Sequence, residues 1–455
     1  MSILAPDEVD TPEIMKTELS ATQRAVRERV YATPLDELDP ASPEQFGSEQ
    51  MWWKFERLRA EQPVHYTAAS QSTYGAYWSI TKWDDIIAVD TDSVNFTNET
   101  TPSLLRPGSS PALIRMAGPG ATPEQIKAVE DRGVPSLLSM DPPAHGIHRG
   151  AVAEGVSPAT LAMFEPLIRE RIGGILDGLP IGEEFDWVDL VSKELTAMTL
   201  ATLFNYPQEK RRQLTYWSDV ATTLPAPGRI VETIEEKDRI GLQFAAEMAR
   251  IIEERRGEEP AGDFLSLMAH SPHVKDFTAD EIRGDTGVLL IGGNDTTRNT
   301  LSGSVYALHH NPEENAKLRA NPALIPSMVS ETIRWQTPLS HMMRRANEDI
   351  EFGGQTIHKG DKVVLWYVSG NRDDAKLDRP NEYIIDRKNP RQHLSFGFGI
   401  HRCLGNRLAE LQLRLTWEEI VKRFPEISVI GEPERSVSNF IKGYETMTVV
   451  IPSRY

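Results

Sequence analysis

Leu394-Ser395-Phe396-Gly397-Phe398-Gly399-Ile400-His401-Arg402-Cys403-Leu404-Gly405 holds Cys403, the single cysteine of a 455-residue chain. One cysteine excludes an internal disulfide, and no Cys/His cluster has zinc spacing. A lone intracellular cysteine is ordinarily a small buried hydrophobe. Its neighbours point elsewhere. Gly397, Gly399 and Gly405 offer backbone freedom and close approach on both sides of the sulfur, which a merely packed cysteine does not need. Leu404, Leu408, Leu411, Leu415 and Ile420 recur at helical spacing and predict an amphipathic helix from Leu404 to about Phe424. Cys403 then stands at a helix N-terminus, where free N–H groups and the positive dipole end favour a thiolate. The predicted chemistry is a thiolate metal ligand.

Upstream, Thr278 to about Asn311 reads as one long helix opened by a Thr278-x-x-Glu281 capping box. Its middle, Gly292-Gly293-Asn294-Asp295-Thr296-Thr297, contradicts helix propensity, the two glycines alone costing roughly 1 kcal/mol each against alanine. Such a run is either a packing concession or a groove with chemistry in it. Glu331 and Arg334 are spaced as helical neighbours. Exposed, such a pair is worth about 0 to 1 kcal/mol; buried, it can instead fasten distant segments to its helix.

Phe396-x-x-Gly399-x-x-x-Cys403-x-Gly405 resembles the heme-binding loop of the cytochrome P450 family. Gly292 to Thr297 resembles that family's oxygen-activation segment, and Glu331-Thr332-Ile333-Arg334 its E-x-x-R pair, in the right chain order. The resemblance runs from Asp141-Pro142-Pro143-Ala144-His145 to the C-terminus. Residues 292–299 and 399–414 look most like the soluble bacterial alkane and fatty-acid terminal hydroxylases, with related helices in bacterial sterol side-chain hydroxylases.

The resemblance implies a mainly α fold with small β-sheets, a triangular helical prism with a smaller β-rich lobe. It implies heme b ligated axially by Cys403, with Phe396, Gly397 and Gly405 around it and His145, Arg149, Arg344 and His401 facing the propionates. Arg345 is an adjacent competitor, but Arg344 has the family spacing to Asp349. Thr296 and Asp295 are implied to handle the protons that activation of the cosubstrate O2 consumes. Fold-level alignment gives an apolar pocket of Val288, Ile291, Gly292, Leu339, Ser340, Phe440 and Ile441, with part of the 100–138 segment. Glu331, Arg334 and Arg387 are the implied structural network.

Asp plus Glu number 67 against 49 Lys plus Arg, a net charge of −18 that argues against a nucleic-acid partner. The first 40 residues show neither a signal-peptide core nor a span of about 20 apolar residues, so a cytoplasmic protein without a transmembrane segment is expected. Residues 1–45 read as an N-terminal extension and 46–455 as a single domain. Its β-rich lobe lies mostly at 50–100 and 346–390, and its helical lobe mostly at 145–340 and 404–424. Pro225-Ala226-Pro227-Gly228 separates two helical patterns and resembles a mobile lid connection. About fifty residues follow Cys403, too few for a reductase domain. Electrons are therefore expected from NAD(P)H through a ferredoxin reductase and a ferredoxin, for which Arg391, Arg402, Arg407 and Arg414 offer a positive docking face in an acidic chain.

The expected activity is hydroxylation of the terminal methyl of a medium-chain alkane or fatty acid to a primary alcohol. A terpenoid or steroid side chain is the alternative substrate. A heme-based ligand or gas sensor is the non-enzymatic alternative, disfavoured because a sensor has no need of the Asp295–Thr296 pair.

Overall fold

The computed structural model describes residues 19–118 and 120–455. Its axis is the helix Ala279–His310, opened by the capping box read from the sequence. The Thr278 hydroxyl accepts from the Glu281 N–H at 3.2 Å, and the Glu281 carboxylate accepts from the Thr278 N–H at 2.7 Å. Helices Glu194–Leu203, Arg211–Thr222, Ile234–Arg255 and Ile325–Gln336 pack around this axis. Small residues let them come close: a Cβ on Gly293 would meet Leu200 at 2.7 Å, and one on Gly303 would meet Gln336 at 2.5 Å.

The cysteine-proximal helix, Asn406–Arg423, lies against Pro158–Asp177, Ile325–Gln336 and the axis. Leu415, Trp417, Ile420 and Phe424 join Ile168, Trp187, Leu301 and Val305 in one core. A second core, with Leu200, Trp217, Phe244, Met248 and Leu290, fills the other side of the axis, and Leu408 joins it. Burying each such side chain stabilises the fold by roughly 1.5 to 3 kcal/mol.

The β-rich lobe centres on a five-stranded sheet in the order Val64–Thr67, Tyr77–Ile80, Lys362–Leu365, Met342–Ala346, Phe96–Thr97. Only the Tyr77–Ile80 and Lys362–Leu365 pair is parallel, with Trp78 opposite Val363. A three-stranded sheet of Glu184–Asp186, Thr448–Val450 and Ser428–Val429 went unread in the sequence. Strands of two or three residues are too short to display period-2 alternation.

The first eighteen positions of the N-terminal extension lie outside the described residues. Beyond them Ala21–Ala32 is a helix with a Ser20–Gln23 capping box, and its Val26 and Val30 share a core with Trp53 and Leu58. Ala41 and Phe46 likewise pack with Trp366 and Val368, so packing runs across position 45 without a break. Among the described residues, no helix is long and apolar enough to cross a membrane.

Candidate active site

The cysteine loop is held by its backbone. The Cys403 N–H donates to the Phe396 carbonyl at 2.8 Å, closing a turn around Gly397 and Gly399. Both glycines have positive φ, +63° and +65°, and a Cβ on Gly399 would come within 2.7 Å of the Asp90 carbonyl. Gly405 differs from what the sequence suggested: its φ is −85°, open to any residue, and a Cβ there would meet nothing within 4 Å. Its contribution is an N–H turned toward the sulfur, and its bare face leaves the space above the helix start open.

Cys403 is exposed as a residue, yet burial is the first cause acting on the titration of its thiol. Together these place it on the floor of a deep recess. Burial pushes the thiol above its ordinary value, against the Gly405 N–H and the Arg149 and Arg402 charges. The helix begins only at Asn406, beyond the cysteine. The dipole effect expected from sequence is therefore outweighed by desolvation, and a stable thiolate here requires a cation such as a metal ion.

His145, Arg149, Arg344 and His401 come together beside this recess. The two imidazoles stack at 4.2 Å between centroids. Burial, then Arg344, His145 and Arg149, lower His401 to about 3, opposed by the nearby Met140 carbonyl. Burial and then Arg149 also lower His145. His145 Nε2 and both ring nitrogens of His401 are buried without a hydrogen-bond partner. Arg344 reaches Asp90 at 2.5 Å and the Met343 carbonyl at 2.9 Å, and Arg149 donates to the Arg402 carbonyl at 2.7 Å. Cations in excess of anions, unpartnered buried imidazoles and an open thiol fit an iron porphyrin with two carboxylates.

Along the axis helix, burial draws a stripe. Val288, Ile291 and Thr296 are half-buried and Gly292 exposed, while Leu289, Leu290, Asn294, Asp295 and every residue from 297 to 308 are buried. A Cβ on Gly292 would meet nothing, whereas Gly293 is pressed against Leu200. The two glycines therefore divide the readings: one opens a groove, the other serves packing. The Thr296 hydroxyl lies in the groove and donates to the Gly292 carbonyl at 2.7 Å.

Asp295 points the other way, wholly buried. Its carboxylate accepts from Ser218 Oγ at 3.1 Å and Asn294 Nδ2 at 3.1 Å, and pairs with Arg298 at 3.0 Å. Arg298 also pairs with Asp219, whose second oxygen lies 4.0 Å from Lys193 Nζ. Burial raises Asp295 to about 6, with Arg298 opposing and Asp219 adding to the shift.

An apolar wall forms where Leu339 bridges Ile441 and the Ser340 N–H donates to the Phe440 carbonyl at 2.9 Å. Residues about a hundred positions apart are thus paired. Val288 packs on the helical core, Leu339 and Phe440 on the sheet core, and Leu138 of the 100–138 segment on both. The Ser340 hydroxyl is buried and unpartnered.

Buried Glu331 and Arg334 form one network with half-buried Arg387. Arg334 grips Glu331 at 2.7 and 2.8 Å, and Arg387 Nε reaches it at 2.9 Å. Arg334 also donates to the carbonyls of Asn371, Pro380 and Glu382. The Asn371 side chain then accepts from the Leu394 N–H and donates to Ser395 Oγ, carrying the hold into the cysteine loop. Of the arginines read as a docking face, Arg391 is paired with Glu410 and Arg414 with Glu165 and Glu418; Arg402 and Arg407 are exposed.

Sequence reasoning missed Asp90, which also accepts from the Phe398 N–H at 2.7 Å and Tyr367 Oη at 3.0 Å. It missed Ser218, Asp219 and Arg298, and it missed His341, which joins the Leu104 N–H to the Asn439 carbonyl at 3.0 Å each. Only Arg298 carries a local mark, its i, i+3 spacing to Asp295; the others act on partners far along the chain.

A helical prism with a thiol-floored recess, a cation cluster for two carboxylates and a grooved helix carrying an acid and an alcohol defines a heme-thiolate protein. The sequence profile of the cytochrome P450 family matches residues 209–442. Linalool 8-monooxygenase of Pseudomonas putida is 32% identical over 398 residues, covering 87% of this chain and 94% of its own. A methyl-branched lipid omega-hydroxylase of Mycobacterium tuberculosis is 27% identical over 442 residues, 93% of this chain and 98% of its own. The solved structure of cytochrome P450-153 from Novosphingobium aromaticivorans is 37% identical, covers 90% of this chain and 98% of its own, and has a TM-score of 0.79. This chain belongs to the cytochrome P450 family and is a monooxygenase that binds heme b and uses O2.

Proposed function

We propose that this enzyme hydroxylates the terminal methyl of a medium-chain alkane or fatty acid to a primary alcohol, with electrons drawn from NAD(P)H through a ferredoxin reductase and a ferredoxin. The observation that carries the reading is the apolar pairing of Leu339 with Ile441, beside Phe440, all of which, like Val288, Ile291 and Gly292 of the axis helix, bear no charge; Ser340 adds a buried hydroxyl. A terminal methyl is not the weakest C–H bond of a chain. Attack there requires walls that confine the chain end, since intrinsic reactivity favours internal carbons. The relative named as a lipid omega-hydroxylase supports terminal attack. The relative named linalool 8-monooxygenase favours a second reading, a terpenoid side chain.

In this reading bound heme supplies dioxygen binding and oxygen transfer. Cys403 would ligate its iron through the sulfur, with Phe396, Gly397 and Gly405 beside it, and His145, Arg149, Arg344 and His401 would hold the propionates. Arg344 keeps Asp90 as a second partner, which fixes the guanidinium before any carboxylate arrives. Thr296 presents its hydroxyl in the groove and passes a proton inward. Asp295, titrating near 6, changes protonation close to neutral pH, as a proton carrier must. Arg298, Asp219 and Lys193 extend the polar path from it toward the surface. The apolar wall excludes water from the reacting carbon. Glu331, Arg334 and Arg387 hold the cysteine loop rigid, and exposed Arg402 and Arg407 meet an acidic ferredoxin.

The test is reconstituted turnover with a ferredoxin and its reductase on a competing mixture of octane, a ten-carbon fatty acid and linalool, with products identified by mass spectrometry. Dominant 1-octanol or ω-hydroxy acid is expected. Dominant oxidised terpenoid transfers the assignment to the second reading, and internal alcohols of the chain substrates contradict terminal attack. Cys403→Ala, in the same assay, loses both turnover and the thiolate signature of the carbon monoxide spectrum.

A further inference from the structure

The turn that carries Phe440 and Ile441 is fastened from two helices at once. On one side Gln336, the last residue of its helix, donates from Nε2 to the Lys442 carbonyl at 2.9 Å and accepts from Tyr444 Oη at 3.3 Å. On the other, Asn299 of the axis helix accepts the Tyr444 N–H at 3.0 Å through Oδ1. Its Nδ2 donates to the carbonyl of Asp295 at 2.8 Å, one turn back. Asn299 is buried, and the planar amide is used at both ends, so its orientation is determined.

The contact is also as close as backbone allows. Gly443 lies on the Asn299 amide, and a Cβ there would fall 2.1 Å from Asn299 Cγ. Phe440 and Ile441 stand three and two residues before this contact. They continue into the Ile441–Leu339 bridge and the bond from the Lys442 N–H to the Pro338 carbonyl at 2.9 Å. The wall is therefore registered to the very helical turn that bears Asp295 and Thr296.

We infer that Asn299 is a positioning residue for regioselectivity: it sets the distance between the Phe440–Ile441 wall and the Asp295–Thr296 turn, and so the carbon of the substrate that is oxidised. The inference rests on the proposed oxidation of an apolar chain. Such a substrate offers no polar handle along its length, so only the walls decide which methylene or methyl stands at the reacting position. Discrimination between neighbouring carbons is worth only one methylene of fit, and a displacement of a few tenths of an ångström erodes it.

The test uses heme-loaded Asn299→Ala, Gly443→Ala and the double variant, each assayed for the ratio of terminal to internal products and for its thiolate spectrum. Asn299→Ala lowers the ratio by about tenfold while heme content and the spectrum are retained. Gly443→Ala lowers it further. In the Asn299→Ala background the added methyl has room, so Gly443→Ala changes the ratio less than it does alone. Asn299→Ser, which keeps a short acceptor, replaces the alanine variant should that one fail to load heme. An unchanged ratio in Asn299→Ala or Asn299→Ser, and in Gly443→Ala, overturns the inference and leaves Asn299 a structural fastening, visible only as a lower Tm. If wild-type enzyme makes no terminal product, it is the substrate reading that fails. The inference is then judged by whether these variants move the oxidised position on the apolar substrate the wild type does turn over.

Discussion

The Asp295 carboxylate, with no accessible surface, lies 3.0 Å from Arg298 Nη2 one turn further along the same helix. Opposite charge at that distance ordinarily lowers a carboxyl. Here burial wins, because Arg298 is shared with Asp219 and its charge is divided between two acids.

Asp295 binds its proton more tightly in the folded chain, at about 6, than at its ordinary value of 3.8. Its contribution to stability is therefore fully present below 3.8 and is lost as pH rises through 6. The Tm of wild type relative to Asp295→Asn should fall across that window and level off above it. A difference that does not vary with pH over this range contradicts the raised value.

Thr296→Ala should keep heme and its spectrum, since the hydroxyl bonds only its own helix, at the Gly292 carbonyl. Product formed per reductant consumed should drop about tenfold or more, with the balance released as peroxide or water. Full coupling in this variant removes the proton role assigned to the hydroxyl.

Glu331→Ala should strip the counter-charge from buried Arg334 and half-buried Arg387 and the acceptor from the Ile384 N–H. Leaving such charges uncompensated costs about 3 to 5 kcal/mol. The expected outcome is poor heme retention or a large loss of Tm. Stable, heme-loaded protein would place the hold on the cysteine loop elsewhere.

Two glycines of one helix should respond oppositely. Gly292→Ala adds a methyl in open space and gains about 1 kcal/mol of helix propensity, yet it narrows the groove and should reduce turnover. Gly284→Ala drives a Cβ to 1.8 Å from the Pro135 carbonyl and should destabilise by at least about 2 kcal/mol. Thermal melts of both variants, with turnover of the first, separate groove from packing.

Much of this architecture was legible because it is local. The Thr278–Glu281 box, the leucine spacing after Cys403 and the positive-φ glycines before it depend on residues within a turn or two of one another. The stretch after position 346 was read only as β-rich, and the hairpin of Ile350–Phe352 with Gln355–Ile357 within it was not. The three-stranded sheet escaped because its strands are too short to carry a period.

By itself the sequence determined the family, the cysteine loop, the long helix with its weak middle and the residue types that heme and proton handling need. Tertiary structure alone decided which glycine opens the groove and which takes a neighbour. It also decided that Arg344 is anchored by Asp90, 254 positions away, and that Asn299 grips Tyr444, 145 positions away. A carboxylate or an amide carries no mark of its distant partner in its own neighbourhood. Only burial makes such a group require a partner, and only the packed fold selects which one it finds.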